Sequence, residues 1–190
     1  MRSIVVAALL AATAASPALA QDKAPFTGPR LEGIVGWDRP QANNSHADGV
    51  NYGVAGGYDI QTGMGLVGID GEVGDSTAKD CVGSTTVADP RTCVKAGRDL
   101  YVGGRIGKVV GGRTLLYAKA GYTNARVKLT DNDGTGATTI ASTNLDGVRV
   151  GAGAEYAISP NSFVKTEYRY SNYQDGVSRH QVVGGFGFRF

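Results

Sequence analysis

The chain has 190 residues, with 19 Lys and Arg against 17 Asp and Glu. That length fits one domain, and with no block of like charges along it neither nucleic acid nor an anionic surface is implied as a partner. Glycine stands out at 29 residues, against six prolines and with no collagen-like period, a composition that suits a tightly curved sheet with a narrow interior.

In chain order, residues 1–20 read as a leader. Met1-Arg2-Ser3 supplies a positive charge, Ile4 to Ala15 is almost wholly apolar, and Ser16-Pro17-Ala18-Leu19-Ala20 ends in an A-x-A site. The pattern predicts a secretory signal cleaved before Gln21, its apolar stretch too short for a membrane helix. Residues 21–27 form a short N-terminal segment. Beyond the leader no apolar run approaches the roughly 18 residues that a spanning helix needs.

Eight segments follow in which one parity is apolar or aromatic and the other is glycine, charged or polar. Leu31, Gly33, Val35 and Trp37 oppose Arg30, Glu32, Ile34, Gly36 and Asp38; Val50, Tyr52, Val54, Gly56, Tyr58 and Ile60 oppose Asn51, Gly53, Ala55, Gly57 and Asp59. Val67, Ile69 and Val73 oppose Gly68, Asp70 and Glu72; Leu100, Val102 and Ile106 oppose Tyr101, Gly103, Arg105 and Gly107. Leu116, Ala118, Ala120 and Tyr122 oppose Tyr117, Lys119 and Gly121, and Val148 to Ile158 alternates against Arg149, Gly151, Gly153 and Glu155. Val164, Thr166, Tyr168 and Tyr170 oppose Lys165, Glu167 and Arg169; Val182, Gly184, Phe186, Phe188 and Phe190 oppose Gln181, Val183, Gly185, Gly187 and Arg189.

Most segments extend to about ten residues, the length of a tilted membrane-crossing strand. The connections alternate between short (61–64, 108–113, 159–161) and mostly longer (40–49, 75–97, 126–144, 173–178), matching short periplasmic turns and longer outer loops. The expected fold is all-β: an eight-stranded antiparallel up-and-down transmembrane β-barrel over residues 28–190 in the outer membrane of a Gram-negative bacterium. Trp37, Tyr52, Tyr122 and Tyr170 then fall near the outer interface, and Tyr58, Tyr156, Phe188 and Phe190 near the inner one, as aromatic girdles.

The opposite parity collects charge. Away from the strand ends, Glu32, Asp59, Asp70, Glu72, Glu155 and Glu167 share the interior with Arg105, Lys119, Arg149, Lys165, Arg169 and Arg189. An eight-stranded barrel is only wide enough for side chains to fill, and a lone buried charge costs several kcal/mol, so a paired network that plugs the lumen is expected. A narrow channel for small solutes is the alternative. Cys81 and Cys93, in a polar segment of an exported chain, read as one structural disulfide closing a short loop, worth about 3 kcal/mol. Neither His46 nor His180 lies near them in sequence, so no metal site is expected.

The chain resembles the small eight-stranded outer-membrane barrels related to the transmembrane domain of outer membrane protein A, and more closely the porin-like and opacity-type surface proteins. The resemblance rests on Gly65-Leu66-Val67-Gly68-Ile69-Asp70-Gly71-Glu72-Val73-Gly74, on Tyr101-Val102-Gly103-Gly104-Arg105-Ile106-Gly107 and on Leu115-Leu116-Tyr117-Ala118-Lys119-Ala120-Gly121-Tyr122. It is strongest at Gly185-Phe186-Gly187-Phe188-Arg189-Phe190. It implies that Phe186, Phe188 and Phe190 form a terminus read by the barrel-assembly machinery, with outer-membrane lipid and lipopolysaccharide as surroundings. A cell-wall-binding domain is not implied.

Catalytic and ligand motifs are weak. Gly103-Gly104-Arg105-Ile106-Gly107 and Gly111-Gly112-Arg113 lack the helix that a phosphate loop requires. Asp131-Asn132-Asp133-Gly134 begins like a calcium loop, but its twelfth position is Ser142 where a glutamate is needed. Tyr168-Arg169-Tyr170-Ser171-Asn172 is faintly similar to the serine strand of a lipid A deacylase, yet Arg169 stands where that family has histidine, and Ser171 has inward parity. The chain therefore reads as a surface barrel without enzymatic activity or cofactor. Its polar outer loops could meet an extracellular ligand that they do not name.

Overall fold

The computed structural model describes residues 25–42, 45–84, 86, 91–132, 134 and 136–190. The expected leader and residues 21–24 lie outside the described residues. Ten strands follow in order: β1 (Gly28–Ala42), β2 (Ser45–His46), β3 (Gly49–Thr62), β4 (Gly65–Ser76), β5 (Lys79–Val82), β6 (Arg91–Val110), β7 (Thr114–Asn132), β8 (Ala137–Ala157), β9 (Ser162–Tyr173) and β10 (Ser178–Arg189). The eight long ones pair antiparallel with their neighbours, and β10 pairs with β1 to close the sheet. β2 folds back on the outer end of β1, and β5 on the start of β6.

Register sets the barrel's shape. Paired residues lead from Arg30 through Gly57, Asp70, Gly103, Gly121, Arg149, Ser171 and Arg179 back to Pro40 on β1. The circuit thus returns ten residues beyond its start, a stagger that tilts the strands by about 40° given their rise and spacing. Glycine makes room inside this narrow cylinder: a Cβ at Gly153 would stand 2.8 Å from the Tyr117 hydroxyl. At the tight β6–β7 turn, Gly111 and Gly112 adopt φ of 62° and 74°, a region open to glycine at no steric cost.

Alternation places the expected apolar parity outside. Ten aromatics, among them Trp37, Tyr52, Tyr58, Tyr122, Tyr156 and Tyr170, point away from the barrel, while Phe26, Tyr101, Tyr117, Phe163 and Tyr173 are buried within it. Such a broad apolar exterior suits lipid and would aggregate in water.

The outer connections differ from expectation. β6, β7 and β8 run 20, 19 and 21 residues, about twice what a bilayer requires. Most of the expected 75–97 and 126–144 loops is therefore strand, rising beyond the membrane. The 173–178 connection contains a short 3-10 turn, Gln174–Gly176. Outside the bilayer both faces of the wall escape lipid, so Thr138-Thr139-Ile140-Ala141-Ser142-Thr143 carries no apolar alternation. Its strand form comes from backbone pairing with β7 and from β-branched side chains.

Candidate functional site

The lumen is filled in layers. At the short-turn end, Phe26 turns into the mouth ahead of β1 and is fully buried with Leu66, Val109, Leu115 and Tyr117. Its backbone N–H donates to Gln61 Oε1 at 3.2 Å, and the Arg189 guanidinium lies 5.2 Å from both the Phe26 and Phe163 rings. Above this floor, Asp59 accepts from Arg105 through two nitrogens and meets Arg30 at 3.2 Å and Arg189 at 2.9 Å. Glu155 meets Arg105 at 3.2 Å and Arg189 at 2.8 Å.

In the middle layer, Arg30 reaches Glu32 at 2.8 Å and Asp70 at 2.5 Å. Lys165 meets Glu32 at 2.6 Å and Glu167 at 3.6 Å. Lys119 joins Asp70, Glu72 and Glu167, and Arg169 joins Glu167 and Glu72. The Tyr117 hydroxyl donates to Glu167 at 2.5 Å, and Lys119 Nζ sits 4.5 Å from the centre of the Tyr101 ring. Arg149 carries the chain upward, meeting Glu72 at 3.3 Å and Asp99 at 2.5 Å. Arg179 then meets Asp99 at 3.1 Å and Asp38 at 2.6 Å.

All twelve charges expected from parity are in this network, and each has a partner of opposite sign. Four more belong to it: Arg30, Asp38, Asp99 and Arg179. Among the described residues the buried charged groups thus number eight acids and eight bases. Arg30 and Asp38 had the right parity but stood at the ends of the apolar alternation, and Asp99 and Arg179 stood just before the segments they belong to. Because the strands outlast the lipid band, inward parity continues past the point where the outward pattern fades. Phe26 was missed altogether; the one aromatic in a short polar stretch beside the first strand was the available signal.

Above Arg179 the barrel opens into a cup whose lower wall packs Ala125, Leu145 and Tyr173 against Val127 and Val177. A cavity of about 400 Å³ lies there, lined by Pro40, Ala78, Val94, Ala96, Val127 and Leu145 among others. A second, of about 490 Å³, lies at the opposite mouth beside Pro25, Arg113 and Phe190. No residue lines both.

The remaining candidates are spread apart. Cys81 and Cys93 stand directly opposite across β5 and β6 and are joined by a disulfide. Ser171 is buried inside and accepts a hydrogen bond from Arg149 Nε at 2.9 Å. His180 points outward, its Nδ1 2.7 Å from the Tyr168 hydroxyl and its ring 5.0 Å from that of Tyr170. Serine and imidazole therefore lie on opposite faces of the wall. His46 is exposed on β2. At the outer rim, Trp37 Nε1 and the Arg39 guanidinium both donate to Asp48. The hydrogen bond from Arg39 holds the Asp48 carboxyl below the ordinary carboxylate range, with further help from its charge and from Trp37.

Residues 5–190 match the family described as outer membrane protein beta-barrel domain. The chain belongs to that family. This outer-membrane β-barrel is 33% identical over 160 residues to a 22 kDa outer membrane protein of Rhizobium leguminosarum bv. viciae, covering 78% of this chain and 70% of the relative. Among solved structures it is similar in fold to neisserial surface protein A, with a TM-score of 0.58, 15% identity, and 86% and 98% of the two chains covered. It is also similar to Ail, the attachment invasion locus protein of Yersinia pestis, solved in complex with the heparin analogue sucrose octasulfate. There the TM-score is 0.55 and the identity 16%, over 86% and 99% of the chains. At such identities the likeness concerns the fold alone. Localisation in the Gram-negative outer membrane follows from the family and from the lipid-facing exterior.

Proposed function

We propose that this barrel is a non-conducting, non-enzymatic surface protein: its lumen is a closed ion-paired plug, and its tall outer wall is the working surface. One observation carries the reading. The eight buried acids and eight buried bases form one continuous chain of pairs, from Arg189 and Asp59 near the short-turn mouth to Asp38 near the outer mouth. Moving an ion along such a path means breaking buried pairs in sequence, and each acid or base left alone there costs several kcal/mol. The apolar floor around Phe26 adds a second barrier.

Support for a role without catalysis comes from the hydroxyl that a lipid-modifying enzyme would need. Ser171 is turned away from lipid and held by a cation, so it has neither a base to activate it nor access to a lipid substrate. Lipid and lipopolysaccharide around the wall, and the assembly machinery at the Phe186–Phe190 terminus, are the partners proposed with this reading. Bilayer recording of the refolded, purified protein tests it: no steady conductance is expected, and a large, steady one would overturn the plug in favour of a channel.

A further inference from the structure

Basic residues scattered along the chain are gathered by the fold on one outer wall. Lys79 of β5 pairs directly with Lys95 of β6, and Lys95 pairs with Lys128 of β7. The residues flanking them, Ala78, Asp80, Val94, Ala96 and Val127, line the cavity inside the cup, so strand alternation puts all three lysines on its outside. Like charges set directly opposite each other destabilise a sheet. Here they form an uninterrupted row across three strands.

Two arginines extend the row toward the membrane. Pairing across β6 and β7 is interrupted between Ala96 and Asp99; the extra residue leaves Gly97 and Arg98 together opposite Arg126. A bulge of this kind re-aims a side chain, and it sets Arg98 beside Arg126 on the exterior. Arg98 donates to Asn124 at 3.0 Å and Arg126 to Ser142 at 3.1 Å, both neutral groups. Among the described residues, none of these five cations takes part in an ion pair.

Height and bracing point to what meets them. Tyr122, outward on β7 at the outer girdle, marks the interface. At the strand rise and tilt given above, Arg126 stands about 10 Å beyond it and Lys128 about 15 Å. The cations therefore face sideways, at the level of the headgroups that surround the barrel, and do not point up from a loop tip. The Cys81–Cys93 disulfide lies on the same face, one outward position from the Lys79–Lys95 pair. It clamps β5 to β6 where repulsion between the two ammonium groups would part them, and so holds the row ready for an anion.

We propose that this β5–β6–β7 wall binds the phosphate groups of lipopolysaccharide in the outer leaflet, with Lys79, Lys95 and Lys128 neutralising phosphates that would otherwise need bridging divalent cations. The inference does not depend on whether the lumen conducts. Basic side chains near an anionic membrane surface each strengthen binding by about fivefold. The test titrates folded wild-type protein and the K79Q/K95Q/K128Q variant in detergent with lipopolysaccharide, with the same lipopolysaccharide stripped of phosphate, and with heparin oligosaccharide. Heat-dependent gel migration confirms that each protein is folded. Loss of the three lysines should weaken binding of intact lipopolysaccharide on the order of a hundredfold, and stripping the phosphates should do the same to the wild type. Unchanged affinity in the variant, or equal binding of the stripped lipid, would overturn the proposal. Tighter binding of heparin than of lipopolysaccharide would also overturn it, assigning the wall to a soluble polyanion. If the triple variant does not fold, K95Q alone should weaken binding about fivefold, and no change there overturns the proposal equally.

Discussion

Arg179 of β10 grips Asp38 of β1 through two nitrogens, each at 2.6 Å, across the seam where the barrel closes. Both side chains are almost fully buried, and neither has water to fall back on. Arg179→Ala leaves Asp38 without its cation and Asp99 with Arg149 alone. Breaking a buried pair from one side costs about 3–5 kcal/mol, and a loss of that size is expected in urea unfolding of the protein in micelles. Removing the acid as well, in D38N/R179Q, should recover part of it. A single variant as stable as wild type would mean that the seam is held by backbone pairing alone.

Arg149 is the joint between the middle and upper layers, since it alone meets both Glu72 and Asp99 among the described ion pairs. Arg149→Ala leaves Glu72 to Lys119 and Arg169, and Asp99 to Arg179, but cuts the link between the two layers and admits water at the gap. Single-channel recording should show frequent brief openings that wild type lacks. A silent variant of normal stability would show that the lumen closes by other means.

Phe26 precedes the first strand, yet it fills the floor of the lumen. Phe26→Ala should destabilise the barrel by about 3 kcal/mol, as expected when a buried aromatic is truncated. Phe26→Leu should be milder. Unfolding midpoints of the two variants check this, and an unaffected F26A protein would mean that the segment docks without contributing.

Replacing both cysteines by serine removes the clamp on β5 but leaves the eight spanning strands and their closure intact. Limited proteolysis should then cut the β4–β6 connection faster while heat-dependent gel migration stays that of a folded barrel. Collapse of the whole barrel would contradict a role confined to the outer wall.

Phe190 is exposed at the lipid-facing end of the alternating terminus. If that terminus is the assembly signal, deleting Phe190 or changing it to Asp lowers the yield in outer-membrane fractions severalfold without altering the unfolding midpoint of protein refolded in vitro. Equal yield would remove that role.

Strand number, face and the inward position of twelve lumen charges were legible in the sequence, because lipid imposes a strict period of two: residues such as Val35, Ile69 and Val102 must face out, and that fixes the parity of Glu32, Asp70 and Arg105 between them. Where lipid ends, the constraint ends. The upper halves of β6, β7 and β8 are wet on both faces, so their strand state, the reach of the network to Asp99 and Arg179, and the cup itself emerged only from backbone pairing in the closed barrel. The partners of each charge were likewise undetermined, because parity says which way a side chain points and register decides whom it meets. The same holds for Lys79, Lys95 and Lys128. They lie in no charged run of the sequence, and the registers of β5 on β6 and of β6 on β7 are what bring them into a row.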